Sequence, residues 1–267
     1  MAKRVQSPSS IKTYKQCPRK YYYQYIENLP TSQSIHTVRG RIVHSVLEDF
    51  FDINVQDRSL PVAQKLFREE LQRLLVKYWR KHDKELEQIG ILPPERMTYF
   101  EESMLMLHNW LDQFMEKIRT IQEPLPKAFA HLTPVREKEY RSESHAVRGF
   151  IDAIENIQGI VRIMDYKTSK NFALEDHRLQ LAIYALLYEE AHQQLPDEVG
   201  IYFLKGPERT IKATPEMVQE AKKTINLIHL RTHSEKKEDY PLCITPLCKW
   251  STGQCDFYEK CFGKQQL

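Results

Sequence analysis

No apolar run in this 267-residue chain approaches the roughly 20 residues that a membrane-spanning helix requires. The basic, serine-rich N-terminal stretch also lacks the apolar segment of a secretory signal, so a cytoplasmic protein with no membrane partner is expected. There is no internal repeat, no low-complexity tract and no Gly-x-x-x-x-Gly-Lys-Ser/Thr loop. Any nucleotide-driven motor would have to come from a partner. Neither sign of charge dominates: 39 Lys and Arg against 36 Asp and Glu leave +3. That balance permits a polyanionic partner without arguing for one. Hydrophobic residues at 41% and charged residues at 28% exclude a disordered chain.

Cysteine is sparse but concentrated. Cys17 stands alone near the start, and Cys243, Cys248, Cys255 and Cys261 fall within the last 25 residues. An odd number in a cytosolic chain argues against a disulfide framework. Four thiolates can hold either zinc or an iron–sulfur cluster, and the lack of a Cys-x-x-Cys knuckle weakens the zinc-ribbon reading.

The coarse pattern is α/β. Ser7-Pro8 reads as a helix start, with one helix running through Tyr14, Cys17, Tyr21 and Tyr25 to Asn28-Leu29-Pro30. A second helix begins near Val38. Residues 61–121 carry helical stripes, Leu66 to Trp79 and Phe100 to Ile118, broken at Gly90 and Pro93-Pro94. Three strands follow (135–140, 147–154 and 160–166), then a helix over 175–193 and strands at 200–204 and 210–212. A helix from Pro215 to about His229 closes the body. The expected organisation is N-terminal helices over 1–54, a helical insertion over 55–130, an α/β core over 131–240 and a cysteine segment over 241–267.

Two segments carry chemistry: Gly149-Phe150-Ile151-Asp152 and Ile163-Met164-Asp165-Tyr166-Lys167. Each sets an aspartate at or near the end of an apolar strand. Two adjacent carboxylates repel unless a cation lies between them, and hard oxygen ligands suit Mg²⁺ or Mn²⁺. Lys167, two residues beyond Asp165, shares its strand face. It could orient or deprotonate a water, or offset charge on a phosphate. His44 could add an imidazole, and Gln180 and Tyr184, one helical turn apart, could hold a phosphate or the attacking water. Glu137 and Glu139 share a strand face, and either could reach the site. Aromatic and basic residues at Arg19-Lys20-Tyr21-Tyr22-Tyr23 could stack bases, although a buried helix face explains most of those tyrosines.

Taken in order, these pieces resemble the PD-(D/E)XK nucleases of the RecB-like branch. That branch includes AddB-type nuclease domains, CRISPR-associated RecB-like exonucleases and the exonuclease V group. The matching pieces are Ser7-Pro8-Ser9-Ser10 with Cys17-Pro18-Arg19-Lys20-Tyr21-Tyr22, Gly40-x-x-x-His44, Gly149-Phe150-Ile151-Asp152, Asp165-Tyr166-Lys167-Thr168, Gln180-x-x-x-Tyr184 and the terminal cysteines. The resemblance implies a restriction-endonuclease-like mixed sheet flanked by helices. It implies metal ligation by His44, Asp152, Asp165 and the Tyr166 carbonyl, catalysis by Lys167, and support of the substrate phosphate by Gln180 and Tyr184. It further implies a [4Fe–4S] cluster on Cys17, Cys255, Cys261 and a fourth cysteine. Here six residues separate Cys248 from Cys255 where two are usual, so Cys248 is favoured and Cys243 stays open.

The expected function is a metal-dependent DNA exonuclease acting on single strands or ends, in repair, recombination or CRISPR adaptation. A helicase or CRISPR integrase is its possible partner. The alternative is a nuclease-fold subunit used for DNA binding or assembly in such a complex; an intact Asp152/Asp165/Lys167 set favours the enzyme.

Overall fold

A computed structural model of the chain describes residues 4–251 and 253–263. Helix α1 (Pro8–Gln16) starts where expected. Ser7 caps it in an extended conformation, its hydroxyl accepting from the Ser10 amide while Ser10 Oγ returns a bond to the Ser7 amide. The helix does not continue through Cys17. That residue is extended (φ −162°, ψ 113°), because the ring of Pro18 disfavours helical geometry in the residue before it. The chain then re-enters a short helix, α2 (Pro18–Tyr21), followed by a π-helical turn over Tyr22–Ile26. The single helix expected from Ser7 to Asn28 is therefore broken at the cysteine.

Contacts divide the chain into two compact units. One takes in the chain up to Ser32, Arg141–Gly149 and everything from Pro215 onward. In it, Tyr21 stacks on Tyr240 (centroids 6.1 Å, 11°) with Tyr14 edge-on to both. Gln6 ties this nest together, donating to the Tyr21 hydroxyl at 2.8 Å. Tyr21 and Tyr23 are core residues, which settles their role as packing. The same unit holds α9 (Pro215–Arg231), two two-residue strands, β6 (Lys249–Trp250) and β7 (Gly253–Gln254), and α10 (Tyr258–Phe262).

The other unit spans 33–140 and 150–214. It opens with α3 (Ile35–Phe50), capped by Ser34 and so starting three residues before Val38. Helices α4 (Leu60–Lys81), α5 (Asp83–Gln88) and α6 (Pro93–Thr120) follow as the stripes predict. A further helix, α7 (Leu125–Leu132), escapes the sequence reading because two prolines flank its start. Strands β1 (Val135–Ser142), β2 (Val147–Ile157), β3 (Ile160–Lys167), β4 (Glu198–Phe203) and β5 (Glu208–Lys212) form one mixed sheet in that order. β2 and β3 are antiparallel, as are β4 and β5; β3 and β4 are parallel, joined through α8 (Arg178–His192). This is the crossover that the connection length predicts. Gly200 allows β4 and β5 to approach, since a Cβ there would sit 2.5 Å from the Arg209 carbonyl oxygen.

Ala153, Met164, Tyr166, Tyr202 and Leu204 join α3, α4, α6 and α7 in one apolar cluster. The helices of 60–132 thus share a core with the sheet. α6 adds a polar row against the β4–β5 turn. Glu102 pairs with Lys205 at 2.6 Å, Asn109 donates to the carbonyls of Leu204 (3.0 Å) and Gly206 (3.1 Å), and Lys117 pairs with Glu208 at 2.8 Å. Arg162 binds Glu155 and Glu198, each at 3.1 Å, and also Glu208. Burial pushes the Lys117 pKa below the usual lysine value despite the nearby Glu155. None of these charged partners stood out in the sequence, because they come from α6 and from β2 through β5 and fit no motif. No helix of the described residues is long and apolar enough to cross a membrane.

Candidate active site and cysteine pocket

The β2–β3 ladder runs from Ile157 and Ile160 inward to Ala153 and Met164. One residue further along each strand stand Asp152 and Asp165, close enough for the charge of one to act on the other. There the pairing changes character: the Tyr166 amide donates to Asp152 Oδ2 at 2.8 Å. A side chain takes a backbone donor's bond, and the β2–β3 ladder ends there.

His44 reaches this end of the sheet from the middle of α3. Its Nδ1 lies 3.4 Å from Asp152 Oδ2 and 3.8 Å from Glu137 Oε1, while Nε2 meets the Tyr166 carbonyl oxygen at 3.0 Å. One ligand atom from each of His44, Glu137 and Asp152 lies within 4.8 Å of the others, a spacing that could hold a cation. Strand alternation could not choose between Glu137 and Glu139. The structure does so through backbone geometry: Glu137 adopts φ +45°, which breaks the alternation of β1, and Glu139 is exposed. Burial alone would lower the His44 pKa, but the Asp152 charge, hydrogen bonds to Asp152 and Glu137, and Asp165 lift it to about 10. Burial and the adjacent Asp165 carboxylate push Asp152 up.

Asp165 is 2% exposed. Its Oδ1 accepts from Gln180 Nε2 at 2.7 Å, and its Oδ2 sits 2.5 Å from Lys167 Nζ as an ion pair. That ammonium is the partner of a buried carboxylate oxygen. Burial favours a neutral Lys167, but Asp165 outweighs it and raises the pKa above the ordinary lysine value. Lys167 is therefore an ammonium in this arrangement. Gln180 also donates to the Tyr184 hydroxyl at 2.9 Å. With both contacts made inside the site, its amide braces Asp165 from within. Burial, then Asp165, holds the Tyr184 hydroxyl well above the usual tyrosine range.

All five cysteines line a second pocket, walled by Leu242, Leu247, Phe257 and Phe262. The Cys255 amide donates to the Cys248 carbonyl at 2.9 Å, so the β6–β7 hairpin loops out and brings the two residues together. Burial raises the Cys261 thiol pKa, and the charges of Cys17, Cys255 and Cys248 add to it. Cys248 Sγ donates to the Cys243 carbonyl at 3.6 Å. Among the described residues, no three cysteine sulfurs lie within 4.8 Å of one another.

A mixed sheet whose second and third strands end their pairing at two aspartates, with a lysine two residues beyond the second, defines a nuclease of the restriction-endonuclease type. The chain belongs to the PD-(D/E)XK nuclease superfamily, whose family model matches residues 6–261. It is 24% identical over 233 residues to the Gene 69 protein of Mycobacterium phage L5, covering 79% of each chain. It is 25% identical over 179 residues to the CRISPR-associated exonuclease Cas4 of Francisella tularensis subsp. novicida (strain U112), covering 62% of this chain and 86% of that protein. Among solved structures, a protein of Eubacterium rectale provisionally described as an exonuclease shares the fold. Its TM-score is 0.53 at 13% identity, covering 100% of this chain and 91% of that one.

Proposed function

We propose that the protein is a divalent-metal-dependent DNA exonuclease that hydrolyses phosphodiester bonds in single strands or at DNA ends. The observation that carries this reading is the convergence of two buried carboxylates, Asp152 and Asp165, with the His44 imidazole and the Tyr166 carbonyl at one end of the sheet. Two carboxylates buried this close repel each other, and a divalent cation between them relieves that cost. The donor set fits Mg²⁺ or Mn²⁺: carboxylates from Asp152 and Asp165, the Tyr166 carbonyl and the His44 imidazole, with Glu137 alongside. A bound ion would supply Lewis-acid stabilisation of phosphate charge and a more acidic water.

The remaining work falls to the chain itself. The Tyr166 amide fixes Asp152 Oδ2, and Gln180 fixes Asp165 Oδ1. Lys167 offers its positive charge to a phosphate oxygen entering the site, where the surroundings are too dry to screen it. Gln180→Ala should free Asp165 and lower kcat roughly 10–100-fold, the usual cost of losing a bond that orients a ligand. Mn²⁺ affinity, measured by calorimetry, should fall with it; unchanged affinity would remove Gln180 from this role.

The thiols fit a [4Fe–4S] cluster held by Cys17, Cys248, Cys255 and Cys261. Supporting the cluster over a zinc ion is the lack of a Cys-x-x-Cys knuckle. Similarity to Cas4 supports a setting in CRISPR adaptation beside an integrase; repair or recombination beside a helicase is the other setting.

Cleavage of end-labelled against circular DNA with Mn²⁺ tests the exonuclease reading. Linear substrate should be shortened from its ends while circles survive. Linearised circles would make the enzyme an endonuclease, and DNA bound but left uncut would favour the assembly-subunit alternative.

A further inference from the structure

One more side chain of β2 lies near the two aspartates: Phe150 stands two residues before Asp152, beyond the last β2–β3 pair, Ala153–Met164. Phe150 therefore shares a strand face with Asp152, about 7 Å along β2. Its neighbours Gly149 and Ile151 are buried, yet Phe150 is 51% exposed. A single exposed aromatic is ordinary on a protein surface. This one is set apart by its place, two residues from Asp152 on the same face of β2 and beyond the end of the β2–β3 ladder.

We infer that Phe150 is a base-stacking, specificity-determining residue. Its ring takes the face of an unpaired nucleobase next to the phosphodiester held by Asp152, Asp165 and Lys167. This rests on the nuclease reading for its substrate. Every base has a π face, so such a contact tolerates any sequence. In duplex DNA those faces are already covered by neighbouring base pairs, and the ring has nothing to stack on. Phe150 thus selects single strands and frayed ends by shape. The contact carries no charge, so salt that weakens phosphate binding leaves it largely intact.

The test is fluorescence anisotropy with a labelled oligothymidine and a blunt duplex, without divalent cation. Phe150→Ala should raise Kd for the single strand about ten-fold, the size of one lost base stack, and leave the duplex value unchanged. Phe150→Trp should restore single-strand binding. An oligonucleotide with an abasic residue beside the cleaved bond should bind the wild type with the same loss, and Phe150→Ala should add nothing further. Unchanged single-strand binding in Phe150→Ala, or equal losses on both DNAs, would overturn the proposal. These readouts need no turnover. A wild type that binds as described but fails to cut with Mn²⁺ would refute the nuclease reading and leave the stacking role standing.

Discussion

Lys167→Ala should all but abolish DNA cleavage while the chain stays folded. The side chain is 24% exposed and lies against Asp165 Oδ2, and Asp165, then Asp152, keep it charged. Its removal takes away the ammonium held beside Asp165 at this end of the sheet. The loss expected for one such charge in a water-poor site is on the order of 10²–10⁴-fold in kcat. Arginine should rescue poorly, because a forked guanidinium cannot occupy the point position of an ammonium. Single-turnover cleavage of an end-labelled strand with Mn²⁺ gives the rate, and circular dichroism checks the fold. A variant as active as the wild type would remove Lys167 from catalysis.

Cys17→Ala should give a colourless protein with a poorly folded cysteine-bearing unit. Cys17 reaches the pocket only because α1 ends at it, and its partners Cys248, Cys255 and Cys261 lie more than 230 residues further along the chain. A ligand site joining such distant segments closes a very long loop, and its binding energy acts as folding energy. Cys248→Ser should reproduce the loss of visible absorption, whereas Cys243→Ser should keep it. The measurement is iron content and absorbance after purification without oxygen, alongside thermal unfolding. A wild type that is colourless, well folded and active under those conditions would sink the cluster.

Much of the sheet was legible because each strand carries its own period-two pattern between clear breakers, and the crossover helix has the length a parallel connection needs. That β2 and β3 are antiparallel neighbours, which brings Asp152 and Asp165 toward one end of the sheet, was legible from the short hairpin between them. Cys17 was misread because periodicity placed it on a helix face, although Pro18 carried the opposing signal. Glu137 and Glu139 could not be separated, since a left-handed φ at Glu137 has no signature in a run of charged residues. Gln180 is expected to support the substrate phosphate, and in the structure its Nε2 donates to Asp165 and Tyr184. Its spacing gave the helix face but not the partner.

The polar row of α6 has a bearing on how this chain is made. Helices α3 to α7 leave the ribosome before any of the strands they pack against. Until then Trp110 and Phe114 have only other helices to cover them, and Asn109 and Lys117 have no β4–β5 turn to hold. The helices form early through local contacts, but the nuclease end of the sheet is secured only when residues 204–208 arrive about a hundred positions later. Synthesis interrupted before that point leaves a helical fragment with an exposed apolar face, a natural client for chaperones and proteases.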